Sequence, residues 1–267
     1  MSTNGNGTPV VFIHGLWMHA NSWDPWLALF REAGYDPIAP GWPGDSDTVA
    51  ESNAHPERLA NVGIHEVVEH YAAIIRALPS KPIVVGHSFG GLIAQQLLGM
   101  GLASAVIALD PAQMRGVFQL PFAQLKNAFP VLSNPINYHR AVPQTARQFH
   151  NGFANAVSEQ ESNELYVKYA IPAPGRPLFE SAFANVFPNS PAKVNLTAKR
   201  GPLLIIGGGK DATVPEVVTR AAHRLYRKAK TVNEYQVFPN RGHSLAIDSG
   251  WREVADASLA WLKAKGL

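Results

Sequence analysis

The chain has 267 residues, with 23 Lys and Arg against 20 Asp and Glu, a formal net charge of +3. Its basic residues form no run, which argues against a nucleic-acid partner. It contains no cysteine, which excludes disulfides and thiolate metal sites, and no apolar stretch long enough to span a bilayer. The opening Met1-Ser2-Thr3-Asn4-Gly5-Asn6-Gly7-Thr8 is polar and lacks the charged-then-apolar pattern of a secretion leader, so a cytoplasmic protein is expected.

Strands and helices alternate along the chain, the pattern of a mostly parallel sheet covered on both faces. Val10 to Ile13 reads as the first core strand, Trp23 to Ala33 as a helix stopped by Gly34, and Asp36 to Ala39 as a short strand. Gly63 to Leu78 carries Val67, Tyr71, Ile74, Ile75 and Leu78 at helical spacing. Pro82-Ile83-Val84-Val85 is a buried-strand run, and Gly91 to Leu98 a helix. Ala105 to Leu109 and Leu203 to Ile206 are further buried strands, Glu234 to Phe238 the last. Glu216 to Lys228 and Trp251 to Lys265 read as helices. The expectation is a doubly wound sheet of about six strands, with no antiparallel hairpin before it.

Between the strand at Pro82 and its helix lies Gly86-His87-Ser88-Phe89-Gly90, a G-x-S-x-G at a strand-to-helix turn. That context exposes a serine hydroxyl at a helix N-terminus, the arrangement of an activated nucleophile. A serine needs a base, and the base needs an orienting acid. Asp211 follows the strand ending at Ile206, in Gly209-Lys210-Asp211-Ala212-Thr213-Val214-Pro215, and His243 follows the strand ending at Phe238. The order Ser88, Asp211, His243 is the one this motif predicts. Two other acids compete. Asp110 also closes a strand, after Val106-Ile107-Ala108-Leu109, and Asp248 follows His243 and reads as a surface cap or bridge.

In these motifs, with Val10 to Trp17 and Pro40-Gly41-Trp42-Pro43-Gly44-Asp45-Ser46, the chain resembles the α/β-hydrolase family, in its serine esterase and lipase branch. The resemblance covers nearly the whole chain except about 111–200. It implies an α/β-hydrolase core from residues 1–110 and 201–267 with residues 111–200 as an inserted helical lid. The segment Pro43-Gly44-Asp45-Ser46-Asp47-Thr48 departs from the family's Pro-Gly-x-Gly-x-Ser, touching no triad member. The backbone amides of Phe89 and Leu16 are the expected oxyanion hole, with Trp17 the neighbouring choice. His14 is expected to hold its loop, and His87 to border the pocket.

The 111–200 stretch is rich in proline, shows no parallel-strand run, and holds Phe118, Phe122, Phe129, Phe149, Phe153, Phe179, Phe183 and Phe187. Ser158-Glu159-Gln160-Glu161 fits a helix-start box. Most of these rings are expected to pack the segment down. Trp17, His87, Phe122 and Phe153 are the candidates for substrate contact.

The ten histidines show no metal-ligand spacing, and no cofactor is implied. The expected activity is hydrolysis of a small-molecule carboxylic ester or lactone through an acyl-enzyme. Three alternatives share the scaffold. A cofactor-free perhydrolase of haloperoxidase type would use peroxide in place of water. A hydroxynitrile lyase would need an extra lysine, for which Lys126, Lys168 and Lys193 are unplaced. A ligand-binding module would need no triad at all.

Overall fold

The computed structural model describes residues 7–267. The polar opening Met1 to Asn6 lies outside the described residues. Strand β1 (Pro9–Ile13) sets the logic of the layers. All five of its residues are buried, and pleating sends alternate side chains to opposite faces. Val11 and Ile13 join the apolar layer on one face, Val10 and Phe12 the layer on the other.

From β1 the chain passes through α1 (Asp24–Glu32) to β2 (Asp36–Ile38), then α2 (Val49–Ala54) and α3 (Ile64–Arg76) to β3 (Ile83–His87). Helix α4 (Phe89–Gly99) leads to β4 (Ala105–Leu109). The next stretch supplies α5 (Phe122–Leu132), β5 (Ala141–Val142), α6 (Ala146–Gly152), α7 (Glu159–Tyr169), β6 (Ala173–Pro174) and α8 (Arg176–Ala182). The chain returns as β7 (Leu203–Gly208), α9 (Glu216–Leu225), β8 (Asn233–Phe238) and α10 (Trp251–Ala264).

The main sheet has six strands in the order β2-β1-β3-β4-β7-β8, and every pairing is parallel. Strands β5 and β6 form a separate antiparallel pair. Tyr71 of α3, Leu92 and Ile93 of α4 and Val218 of α9 cover one face of the sheet. Trp26 and Phe30 of α1 and Val254 and Trp261 of α10 cover the other. On that second face Phe12 meets Trp23, Trp26 and Phe30 at ring-centroid separations of 5.0, 6.1 and 5.1 Å. Burying a ring of this kind is worth about 2–3 kcal/mol, so this cluster anchors β1 and the loop that leaves it.

Two local features differ from the sequence reading. β7 does not stop at Ile206, because Gly207 and Gly208 still pair with Val237 and Phe238 of β8. Helix α2 was not anticipated, and its start is fixed by Thr48, whose hydroxyl accepts the Glu51 N–H at 3.1 Å. Helix α5 carries Pro130 within its last turn. Among the described residues, no helix is long and apolar enough to cross a membrane.

Candidate active site

The turn from β3 to α4 is held by close backbone approaches. A Cβ on Gly86 would collide with the carbonyl oxygen of Gly90, and one on Gly90 with that of Ile13. Only glycine fits at both, and Ser88 between them takes φ 56° and ψ −121°. A non-glycine residue in such a region costs on the order of 1–3 kcal/mol and persists only where its surroundings enforce it. Here the Ser88 N–H donates to Leu109 O at 2.9 Å, and Ser88 O accepts from Gly91, Leu92 and Ala112. Gly15 closes the other side, since a Cβ there would lie 2.7 Å from that of Ser88.

His243 opens a 3₁₀ turn just past β8 and is almost wholly buried. Its Nδ1 donates to Asp211 Oδ2 at 2.6 Å. The other carboxylate oxygen of Asp211 accepts the Thr213 and Val214 N–H groups, each at 2.7 Å. These three bonds fix the acid and the ring orientation. Nε2 has no protein hydrogen bond among the described residues, on a ring that lines the main cavity together with Ser88. No hydrogen bond joins Ser88 Oγ to the ring; such contacts are often long until substrate binds.

Asp110 sits beneath this pair, fully buried at φ 40°. Its Oδ1 accepts the Gly208 N–H at 2.7 Å, and its Oδ2 has no partner. Burial first, and then the neighbouring Asp211 charge, hold its carboxyl well above the usual carboxylate range. The protonated form of this carboxyl is thus favoured relative to an exposed aspartate. Asp110, His87 and His243 each bring one polar atom within 4.8 Å of the others.

His87 does not border the cavity, contrary to the sequence expectation. It is the last residue of the buried strand β3, and its Nε2 donates to the His243 carbonyl at 2.9 Å. Burial, then the nearby His243, push its pKa well below the ordinary value. The folded state thus refuses a proton that the unfolded chain takes up below about pH 6.5, so stability falls as pH falls through that value. His87→Gln keeps a donor and removes the titration. Melting curves from pH 7.5 down to 5 should show a smaller acid loss in this variant than in the wild type. Equal losses would mean that His87 does not titrate on unfolding.

His14 Nε2 bonds Asp45 Oδ2 at 2.8 Å and its Nδ1 bonds Gly15 O at 2.9 Å. The same Asp45 oxygen accepts the Trp42 N–H at 2.8 Å. Asp248 is a second correction. It is buried, not superficial, and binds the Ser244 hydroxyl at 2.7 Å and the Arg241 guanidinium, bracing the turn that carries His243.

The cavity holds about 340 Å³. Its floor includes Leu16, Trp17, Ser88, Phe89 and His243; its walls come mostly from α5, from 142–153 and from α8. The amides of Leu16 and Phe89 donate to no protein acceptor among the described residues. Trp17, at φ 63°, is pinned by its indole N–H to Val142 O at 2.9 Å. Phe153 lines the cavity and stands edge-on to His243 at 5.1 Å. Phe122 does not reach it; the side chain is 80% exposed on the outer face of α5. Lys126 lies on the cavity wall and, among the described residues, is the one Lys, Arg, Asp or Glu there, while Lys168 rests on the Tyr169 ring. Sequence reasoning missed Gln124 and Gln144, which line the cavity with side-chain oxygens buried and unpartnered. Nothing in their local pattern distinguishes them from surface amides.

The pattern of the Alpha/beta hydrolase family matches residues 10–257. The chain belongs to this family. No curated protein matches the chain in sequence. Among solved structures, this alpha/beta hydrolase is similar to methylesterase MES16 from Arabidopsis, with TM-score 0.67 and 18% identity over 96% of this chain and 99% of that one. It is also similar to a monoacylglycerol lipase from Paleococcus ferrophilus, with TM-score 0.68 and 20% identity over 96% and 95% of the two chains. A putative non-heme bromoperoxidase, BpoC, from Mycobacterium tuberculosis H37Rv gives TM-score 0.60 and 22% identity over 97% and 92%. At these identities the likeness is one of fold. In this alpha/beta hydrolase the altered Pro43 to Thr48 segment contributes Asp45, whose bond to His14 ties that loop to the end of β1.

Proposed function

We propose that this protein is a serine hydrolase of carboxylic esters. The observation that carries the reading is the Asp211–His243 bond of 2.6 Å, on a ring that shares its cavity with Ser88. Ser88 Oγ attacks the substrate carbonyl as His243 Nε2 takes its proton. The unspent amides of Leu16 and Phe89 face the developing oxyanion; each such donor contributes about 10²–10³-fold in rate. His243 then gives its proton to the leaving alcohol, and water repeats the cycle on the acyl-enzyme. Asp211 keeps Nδ1 protonated and stabilises the imidazolium.

Residues 111–200 act in this reading as a lid that selects substrate, over a core formed by 1–110 and 201–267. The cavity wall is mainly apolar, through Leu125, Val131, Val142 and Leu178, which suits a medium acyl or aromatic group. Each buried methylene is worth about 0.8 kcal/mol, roughly fourfold in rate. Hydrolysis of p-nitrophenyl esters should therefore rise with acyl length until the cavity fills. Val131→Phe fills part of it and should shorten the preferred acyl chain, while Phe122→Ala should leave the profile unchanged. An unaltered profile in Val131→Phe would remove this wall from substrate selection. A peroxide-using reaction is the second reading, supported by the likeness to the putative bromoperoxidase. It predicts peracid formation from acetate and hydrogen peroxide by the same residues.

A further inference from the structure

The net charge of this chain is unevenly divided. Residues 111–200 hold nine Lys and Arg against four Glu and no Asp, while the remainder holds 14 against 16. Within 111–158 and 181–210 there is no carboxylate at all. Arg115, Lys126, Arg140 and Arg147 lie in the first of these stretches, and none of them forms an ion pair among the described residues. The same stretches carry large apolar side chains pointing to solvent. Phe118, Phe122 and Phe129 are 74, 80 and 67% exposed. Phe122, Leu125 and Phe129 fall on one stripe of α5 at helical spacing. The 183–187 turn adds exposed Phe183, Val186 and Phe187, and is joined to the start of this face by Arg115 Nε donating to Phe187 O and Asn185 donating to Val117 O.

We propose that this face, α5 with the segments 115–120 and 183–187, docks the protein on an anionic lipid surface. Exposed rings interleaved with basic side chains, here Arg115 and Lys126, are the composition of an interfacial binder. Each basic side chain near an anionic surface strengthens binding roughly fivefold. A second copy of the chain is the poorer occupant, because pairing this face with itself brings together two cationic surfaces with no carboxylate between them. The face also adjoins the cavity mouth. Leu120 and Leu125 are each about half exposed and also line the cavity, so a molecule held in the surface layer has a short apolar path inward.

The test is flotation of the full protein with vesicles of phosphatidylcholine alone or mixed with phosphatidylglycerol. It does not depend on any catalytic reading. The expected result is binding to the mixed vesicles at least about tenfold tighter than to the neutral ones, weakening between about 0.1 and 1 M salt as the charges are screened. Replacing Phe118, Phe122 and Phe129 together by Ser should cut binding about tenfold or more, with circular dichroism and melting unchanged; none of the three lines the cavity. Should the triple variant fail to fold, Phe122→Ser alone should still weaken binding severalfold. Equal binding to both vesicle types, or binding untouched by a folded variant, overturns the proposal. So does micromolar self-association that the same substitutions abolish, which would make a second copy the occupant.

Discussion

Ser88→Ala is expected to abolish hydrolysis of p-nitrophenyl butyrate while the fold survives. The side chain removed is small, and the backbone bonds of its turn to Leu109, Gly91, Leu92 and Ala112 do not involve the hydroxyl. Alanine must still adopt φ 56°, at the cost serine already bears. In a serine protease, loss of the nucleophile alone lowers turnover by about 10⁶-fold, and a loss of that order is expected here. Steady-state rates and far-ultraviolet circular dichroism check it together. Turnover within about tenfold of the wild type in folded Ser88→Ala would assign the attack to another group.

Asp211→Asn should reduce turnover by about 10⁴-fold, because an amide in that position favours the wrong imidazole tautomer. Asp110→Asn should behave very differently. Burial, and then the Asp211 charge, push the Asp110 carboxyl well above the usual carboxylate range. An asparagine carries no charge to desolvate, and its Oδ1 can accept the Gly208 N–H as Asp110 does now. Its turnover should stay within about tenfold of the wild type. Its stability should rise at neutral pH. The unfolded aspartate ionises above about pH 4, whereas the folded one holds its proton to higher pH, so the wild type loses stability as pH climbs from there. Asparagine has no proton to lose, and the gain in melting temperature should grow with pH. If Asp110→Asn were the more damaging to turnover, the orienting acid would be the one after β4.

The six-strand parallel sheet was legible because its signals are local. Val10 to Ile13, Ile83 to Val85 and Ala105 to Leu109 are short β-branched or apolar runs buried on both faces, and each is followed by turn residues. The elbow around Ser88 was legible for the same reason, since Gly86 and Gly90 are dictated by approaches within one turn and the adjacent strand. The pocket was not. Phe122 and Phe153 look alike in sequence, and only the packing of α5 and α6 turns one outward and the other against His243. Asp248 read as superficial because its partners, Arg241 and Ser244, come together only when the loop after β8 folds back. His87 read as a pocket residue because it adjoins Ser88 in sequence, yet the strand pleat sends it beneath the His243 ring. The nearness of Asp110 to Asp211 depends on β4 and β7 lying side by side, a non-local fact.

The most direct test of the serine-hydrolase reading is intact-mass and peptide analysis after treatment with a small fluorophosphonate. Attack by an activated hydroxyl expels fluoride and leaves a stable phosphonyl ester. The account predicts one adduct per chain, on the peptide containing Ser88, absent from Ser88→Ala and strongly slowed in His243→Ala. Its persistence in Ser88→Ala, or a folded wild-type protein that takes up no label, would contradict it.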